Sequence, residues 1–171
     1  MNIFLPYEND ISKSVQSLDD KRLNKQILEC KQLLSLVMDE RSGLDIRKRG
    51  YRNHPIYMHY KQYPNFIGYY AYMCCMEYEY RFHKKHSMSD FFIGYNLKYI
   101  LCDKTYVPFY MEGQKGKPNC IRTTDNVSSL YQNKLINKWL FDKYTVRWTN
   151  RDFPEFFTKW KKEHMKVYYA N

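Results

Sequence analysis

Glu29 is the carboxylate around which chemistry could be built. Arg22 and Lys25 precede it by seven and four residues, so on a helix all three share one face. A carboxylate held among cations can stabilise a developing positive charge and move protons. The same spacing also describes a solvated helix face carrying a weak ion pair, in the less favourable order with lysine ahead of glutamate. A second candidate is RKRGYR, residues 47–52, which runs on into Asn53, His54 and Pro55. Arg47, Arg49 and Arg52 can neutralise phosphates and Tyr51 can stack on a base. His54, pinned against Pro55 at a helix start, can donate to a phosphate or shuttle a proton. A charged surface turn with His54 as a plain helix cap fits the same letters. RWTNRDFP, residues 147–154, is another aromatic-basic turn. Its Trp148, Asn150 and Arg151 suit wedging or stacking, or else a capping turn around a buried tryptophan. His83 and His86 are spaced i, i+3, but no carboxylate–histidine pattern accompanies them, and no metal is expected.

Several classes of function have no support. The sequence contains no P-loop, no GxGxxG and no GxSxG, so neither a nucleotide cofactor nor a hydrolase elbow is indicated. Cys30, Cys74, Cys75, Cys102 and Cys120 include no CxxC pair and read as reduced thiols. Lysine and arginine number 28 against 18 carboxylates, a formal charge of +10. That excess points to an anionic partner, nucleic acid first, with solubility as the plainer alternative. No apolar run approaches the ~20 residues that span a bilayer, and MNIFLPYEND lacks the pattern of a secretory signal. A cytoplasmic monomer that stays off membranes is the expectation. The abundance of Tyr, Lys, Asn and Ile suits an AT-rich genome such as a virus's, which would place the protein in the host cytoplasm.

These residues need elements to position them, and the periodicity predicts helices throughout. Asp10 can cap a short helix carrying Ile11, Val15 and Leu18. Asp19 is a natural N-cap for a long helix whose stripe is Leu23, Ile27, Cys30, Leu34 and Val37, with Ser42-Gly43 as its end. Pro55 fits the first turn of the next helix, with His54 or Asn53 at the cap, and Pro64 breaks it. A helix through Phe66, Tyr70, Met73, Glu77 and Tyr80 to about His86 has aromatics on several sides and reads as central. Another follows from Ser89 to Leu101. Residues 103–124 read as a long loop, of the kind that is functional or mobile. Helix resumes after Asp125, with Val127, Tyr131, Leu135 and Trp139 as its stripe. Asp152 caps and Pro154 starts a last helix, with Phe156, Trp160, His164 and Val167 inward. No strand pattern and no repeat is found, so residues 1–171 read as a single all-α domain.

The stretch DKRLNKQILE, residues 20–29, resembles the first helix of the pyrimidine-dimer DNA glycosylases, the endonuclease V-like family. There an Asp, a basic residue before Leu and a Glu nine residues after the Asp stand in the same order. The arm MNIF and the turn GYRNHP, residues 50–55, resemble small bacterial and phage members. WTNRDFPEFF resembles the C-terminal part of longer phage proteins with the same arm. The likeness is good over 1–90, thin over 90–125 and partial over 125–157. It implies base excision and a possible AP-lyase step by the chain's own α-amine, which attacks C1′ and forms a Schiff base. An α-amine with a pKa near ~7.7–8.0 is partly neutral at pH 7, unlike a lysine near ~10.4. Asn2 is too large for usual Met removal, so the amine would be that of Met1. The resemblance puts Glu29 at the catalytic carboxylate and Arg22 at a DNA-contacting position. Leu28 and Gln32 stand where the family carries arginines, and the basic turn 47–52 is expected to supply phosphate contacts instead. The expected partner is damaged or modified double-stranded DNA, contacted by Arg22, Lys25, Arg47, Arg49, Tyr51, Arg52, Asn53, His54 and Arg151, with Met1 and Glu29 catalytic and no cofactor. The other reading is a non-catalytic viral nucleic-acid-binding protein on the same scaffold.

Overall fold

A computed structural model of the chain describes residues 3–7, 10–99 and 127–164. Over these residues run seven helices and no strand: α1 (Ile11–Gln16), α2 (Asp20–Arg41), α3 (Pro55–Tyr60), α4 (Pro64–Phe82), α5 (Ser89–Tyr99), α6 (Val127–Leu140) and α7 (Glu155–His164). The all-α expectation holds. None of these helices is long and apolar enough to cross a membrane. The loop expected over 103–124, and Val167, lie outside the described residues.

α2 forms where its ends and its stripe dictate. The Asp19 carboxylate accepts from the Arg22 amide, an N-cap worth about 1 kcal/mol. At the other end Gly43 takes φ +75. Its amide donates to the Glu40 carbonyl and the Leu44 amide to that of Asp39, the paired closure that a left-handed glycine allows. Leu23, Ile27, Cys30, Leu34 and Val37 are all buried, and α2 makes its most extensive helix contact with α4.

α4 is central, packed by α1, α2 and α5. A Cβ added at Gly68 would lie 2.5 Å from the Tyr95 ring, so the close approach of α5 depends on that glycine. α4 ends at Phe82, short of His86, because His83 turns into the left-handed region at φ 51. The Asn150 side-chain amide then donates to the Arg81 carbonyl, an acceptor that a helix end leaves open.

A buried polar knot ties these helices to the C-terminal segment. The Arg81 side chain is fully buried. It donates to Glu77 at 2.8 Å, to the Leu18 and Gln16 carbonyls at 2.7 and 2.8 Å, and to Asp20 at 3.0 Å. Asp20 also accepts from the amide and hydroxyl of Thr149, and Asp19 from the Trp139 indole N–H at 2.8 Å. Trp148 is buried, with its indole donating to the Ser17 carbonyl at 2.9 Å, so of its two readings the capping turn around a buried tryptophan is the one realised.

The last helix begins at Glu155. The Pro154 carbonyl accepts from Phe157 and Thr158, so Pro154 occupies the capping place expected of Asp152, which is exposed. The inward residue is Phe157, packed edge-on to Trp139 and stacked with Trp160. Phe156 and Trp160 are half-buried and His164 is exposed, one step round the helix from the expected face.

Candidate active site

Glu29 sits on α2, where its spacing suggested a solvated face, yet it is buried, with 8% of its surface exposed. It is linked through Gln26 to the arm before α1. Ile3, Phe4 and Leu5 are buried, and the arm is fixed by side chains from three helices. The Phe4 amide donates to Gln26 Oε1 at 3.2 Å. The Tyr70 hydroxyl lies 3.0 Å from the Phe4 carbonyl oxygen and 3.1 Å from the same Gln26 oxygen. Gln132 of α6 donates to the Pro6 carbonyl at 2.8 Å. Gln26 then turns its amide N–H to Glu29 Oε2 at 3.2 Å. One buried amide therefore ties the N-terminal arm to the carboxylate. Burial pushes the Tyr70 hydroxyl well above the phenol range, which keeps its proton available to these acceptors. Burial, with the Glu29 charge beside it, likewise raises the Cys30 thiol, so that thiol stays protonated and inert.

An open cleft of about 470 Å³ lies over this arrangement. Phe4, Gln26 and Glu29 line it on one side, with Lys21, Arg22 and Lys25 of α2 beside them. The opposite lip is the end of α6 and the residues after it: Asn137, Lys138, Phe141 and Asp142. Lys25 Nζ is 3.7 Å from Glu29 Oε1 and its side chain is 63% exposed. Arg22 reaches across to Asp142 at 2.6 Å while also pairing with Asp19 at 3.2 Å. Lys21 approaches the other Asp142 oxygen at 3.2 Å. Desolvation alone would raise the Asp142 carboxyl, but hydrogen bonds from Lys21 and Arg22 outweigh it and hold the group at about 2. The lip is thus clamped to the start of α2 by a carboxylate that is charged at neutral pH.

The residues singled out in the sequence fall into three places. Arg22, Lys25 and Glu29 meet at the cleft. Arg47, Arg49, Tyr51, Arg52, Asn53 and His54 occupy the turn between α2 and α3, and none of them lines the cleft. Arg49 pairs with Asp39 at 2.6 Å, and Asp39 lies about 15 Å further along α2 than Glu29 at 1.5 Å of rise per residue. In that turn Arg47 is held by Asp45 at 2.9 Å, and Tyr51 is exposed at φ 68. His54 caps α3, its Nδ1 accepting from the Ile56 amide at 3.1 Å. Arg151 stands apart, with two bonds of 2.8 Å to Glu77 and its guanidinium 4.0 Å from the Tyr80 ring. His86 lies 3.0 Å from Asn24 Oδ1, and His83 3.3 Å from the Asn150 amide. Met1 lies outside the described residues.

Sequence reasoning missed Gln26, Lys21, Lys138, Phe141 and Asp142. Gln26 could have been found, because a glutamine at the i+3 position from Leu23 stands inside the apolar stripe, where an amide needs a partner. Asp142 is separated from Arg22 by most of the chain, and no local signal marks it.

A family model described as pyrimidine dimer DNA glycosylase matches residues 1–90. That span holds the arm, α2 with Glu29, the basic turn and α4, while the lip carrying Phe141 and Asp142 lies beyond it. No curated protein and no solved structure matches the chain.

Proposed function

Because the chain belongs to the pyrimidine dimer DNA glycosylase family, we propose that it excises a damaged pyrimidine from double-stranded DNA and that the cleft over Glu29 is where it does so. The observation that carries this reading is the shared amide of Gln26, which holds the N-terminal arm and the Glu29 carboxylate against one another. A chain of two residues reaches at most about 7 Å, so the Met1 amine cannot stray farther than that from the Ile3 nitrogen. In this reading the neutral amine attacks C1′ of the damaged nucleotide. The glycosidic bond breaks, and the base leaves with its electron pair and takes up a proton. The bond from C1′ to the ring oxygen then opens, the oxygen is protonated and an imine to Met1 remains. Glu29 stabilises the positive charge that develops on the sugar and relays the proton for ring opening. An AP-lyase step follows when the 2′ proton is removed and the 3′ phosphate departs. Lys21, Lys25 and Lys138 flank the cleft to meet phosphates, and Arg47, Arg49 and Arg52 extend the basic surface along α2.

Borohydride tests the proposal. Incubated with abasic or ultraviolet-damaged duplex DNA, the protein should give a reduced covalent adduct that maps to residue 1. Acetylation or fusion at that amine should abolish the adduct, because an amide nitrogen cannot form the imine. Adduct formation by the blocked protein would assign the nucleophile to a lysine such as Lys25. No adduct and no released base on any substrate would leave a nucleic-acid-binding protein without this chemistry.

A further inference from the structure

The geometry points to Phe141 as a base-contacting wedge: its ring enters the DNA stack beside the damaged nucleotide when that nucleotide occupies the cleft. The inference rests on the glycosylase reading of that cleft. Phe141 is 83% exposed, the most exposed large apolar side chain among the described residues. An isolated exposed phenylalanine needs no explanation, but three features separate this one from a chance surface residue. It lines the same cleft as Glu29. Its neighbour Asp142 is clamped by Arg22 and Lys21, so the ring stands on a fixed base at the end of α6. Cations that suit a phosphate backbone surround it, and Lys21 also lies 4.0 Å over the ring of exposed Tyr144. An apolar ring on a rigid, cationic lip can fill the gap that an extruded nucleotide leaves in the stack. Asp142 serves as the positioning residue for that ring.

The test is equilibrium binding to two duplexes, one intact and one with a stable abasic-site analogue, across a range of salt. It is performed on Glu29→Gln protein, so that the DNA is not turned over. Adding Phe141→Ala should weaken binding to the abasic-site duplex roughly ten-fold or more, the scale of removing one aromatic ring that stacks on a base. It should leave intact-duplex affinity and the salt slope unchanged, since no charge is removed. Phe141→Trp should restore the preference, and circular dichroism should show all variants folded. Equal affinities before and after Phe141→Ala, or an equal loss on both duplexes, would overturn the wedge. Excision by the native protein with an unaffected Phe141→Ala would overturn the wedge and leave the glycosylase reading standing. A Phe141-dependent preference for the abasic site with no excision would leave the wedge and remove the glycosylase.

Discussion

Glu77 and Glu29 are both buried carboxylates on long helices, with 6% and 8% of their surface exposed, yet they are built for opposite ends. Glu77 is held by Arg81, whose side chain is wholly buried, and by Arg151, with bonds of 2.8 Å to each. Its cations belong to the fold, and the cluster joins α1, α2, α4 and the 147–151 turn. Glu29 has beside it Lys25, a cation that itself faces solvent, and it looks into a cleft. A charge matched by a wholly buried guanidinium is locked into structure. A charge that shares its cation with an open cleft is available to whatever enters. Burial alone therefore does not separate the two carboxylates; in the proposed reading it is the solvent-facing cation and the cleft beside Glu29 that do.

The largest effect on folding should come from breaking the knot. Arg81→Met leaves Glu77 with Arg151 and Asp20 with Thr149 as their remaining partners, and should destabilise the fold by about 3–5 kcal/mol in chemical denaturation. A loss below about 1 kcal/mol would mean that the two carboxylates are not held as differently as their partners suggest.

The helix packing that carries both carboxylates can be tested at Gly68. Because a Cβ there meets the Tyr95 ring, Gly68→Ala should cost about 1–3 kcal/mol, read as a lowered denaturation midpoint. A neutral result would show that α5 can shift away from α4 at no cost.

The order in which the chain becomes readable follows the same contrast. Local signals placed α2 well: Asp19 caps it, the stripe from Leu23 to Val37 is buried, and Gly43 closes it. The environment of Glu29 was hidden because the residues that share its cleft or hold its partner Gln26 come from elsewhere. The arm arrives from before α1, Tyr70 from α4, and the Phe141–Asp142 lip from far along the chain. On the helix wheel Glu29 simply followed Arg22 and Lys25. The end of α4 was hidden for a related reason, since nothing near His83 marks its left-handed turn and the stabilising Asn150 is remote in sequence. The Asp20 of the family-like motif was legible as a letter, but its work is to receive Arg81 and Thr149 at the knot.

Surface charge should behave unlike either buried site. Replacing Arg47, Arg49 and Arg52 by alanine should reduce the slope of log affinity against log salt by about 0.9 for each phosphate no longer neutralised, with the thermal transition nearly unchanged. An unchanged slope would detach the 47–52 turn from DNA.

The smallest expected effect concerns the lip clamp. The folded Asp142 carboxyl is depressed to about 2 from an ordinary value of 3.8. Its contribution is therefore complete above about pH 4 and is lost as the pH falls toward 2. Asp142→Asn should lower stability slightly above about pH 4, where the clamp is fully charged, and flatten the acid limb, so that the two profiles converge as the pH falls toward 2. Parallel profiles for the two proteins would show that the clamp does not hold the lip in solution.

Single-turnover excision by Glu29→Gln tests the central claim most directly. The substitution keeps shape and removes the charge facing the cleft. Turnover should fall by at least about 100-fold, the scale of a positioned acid–base group, while the thermal transition and affinity for abasic-site DNA stay close to those of the native protein. Undiminished excision, or a loss accounted for by unfolding, would contradict the assignment of Glu29 as the working carboxylate.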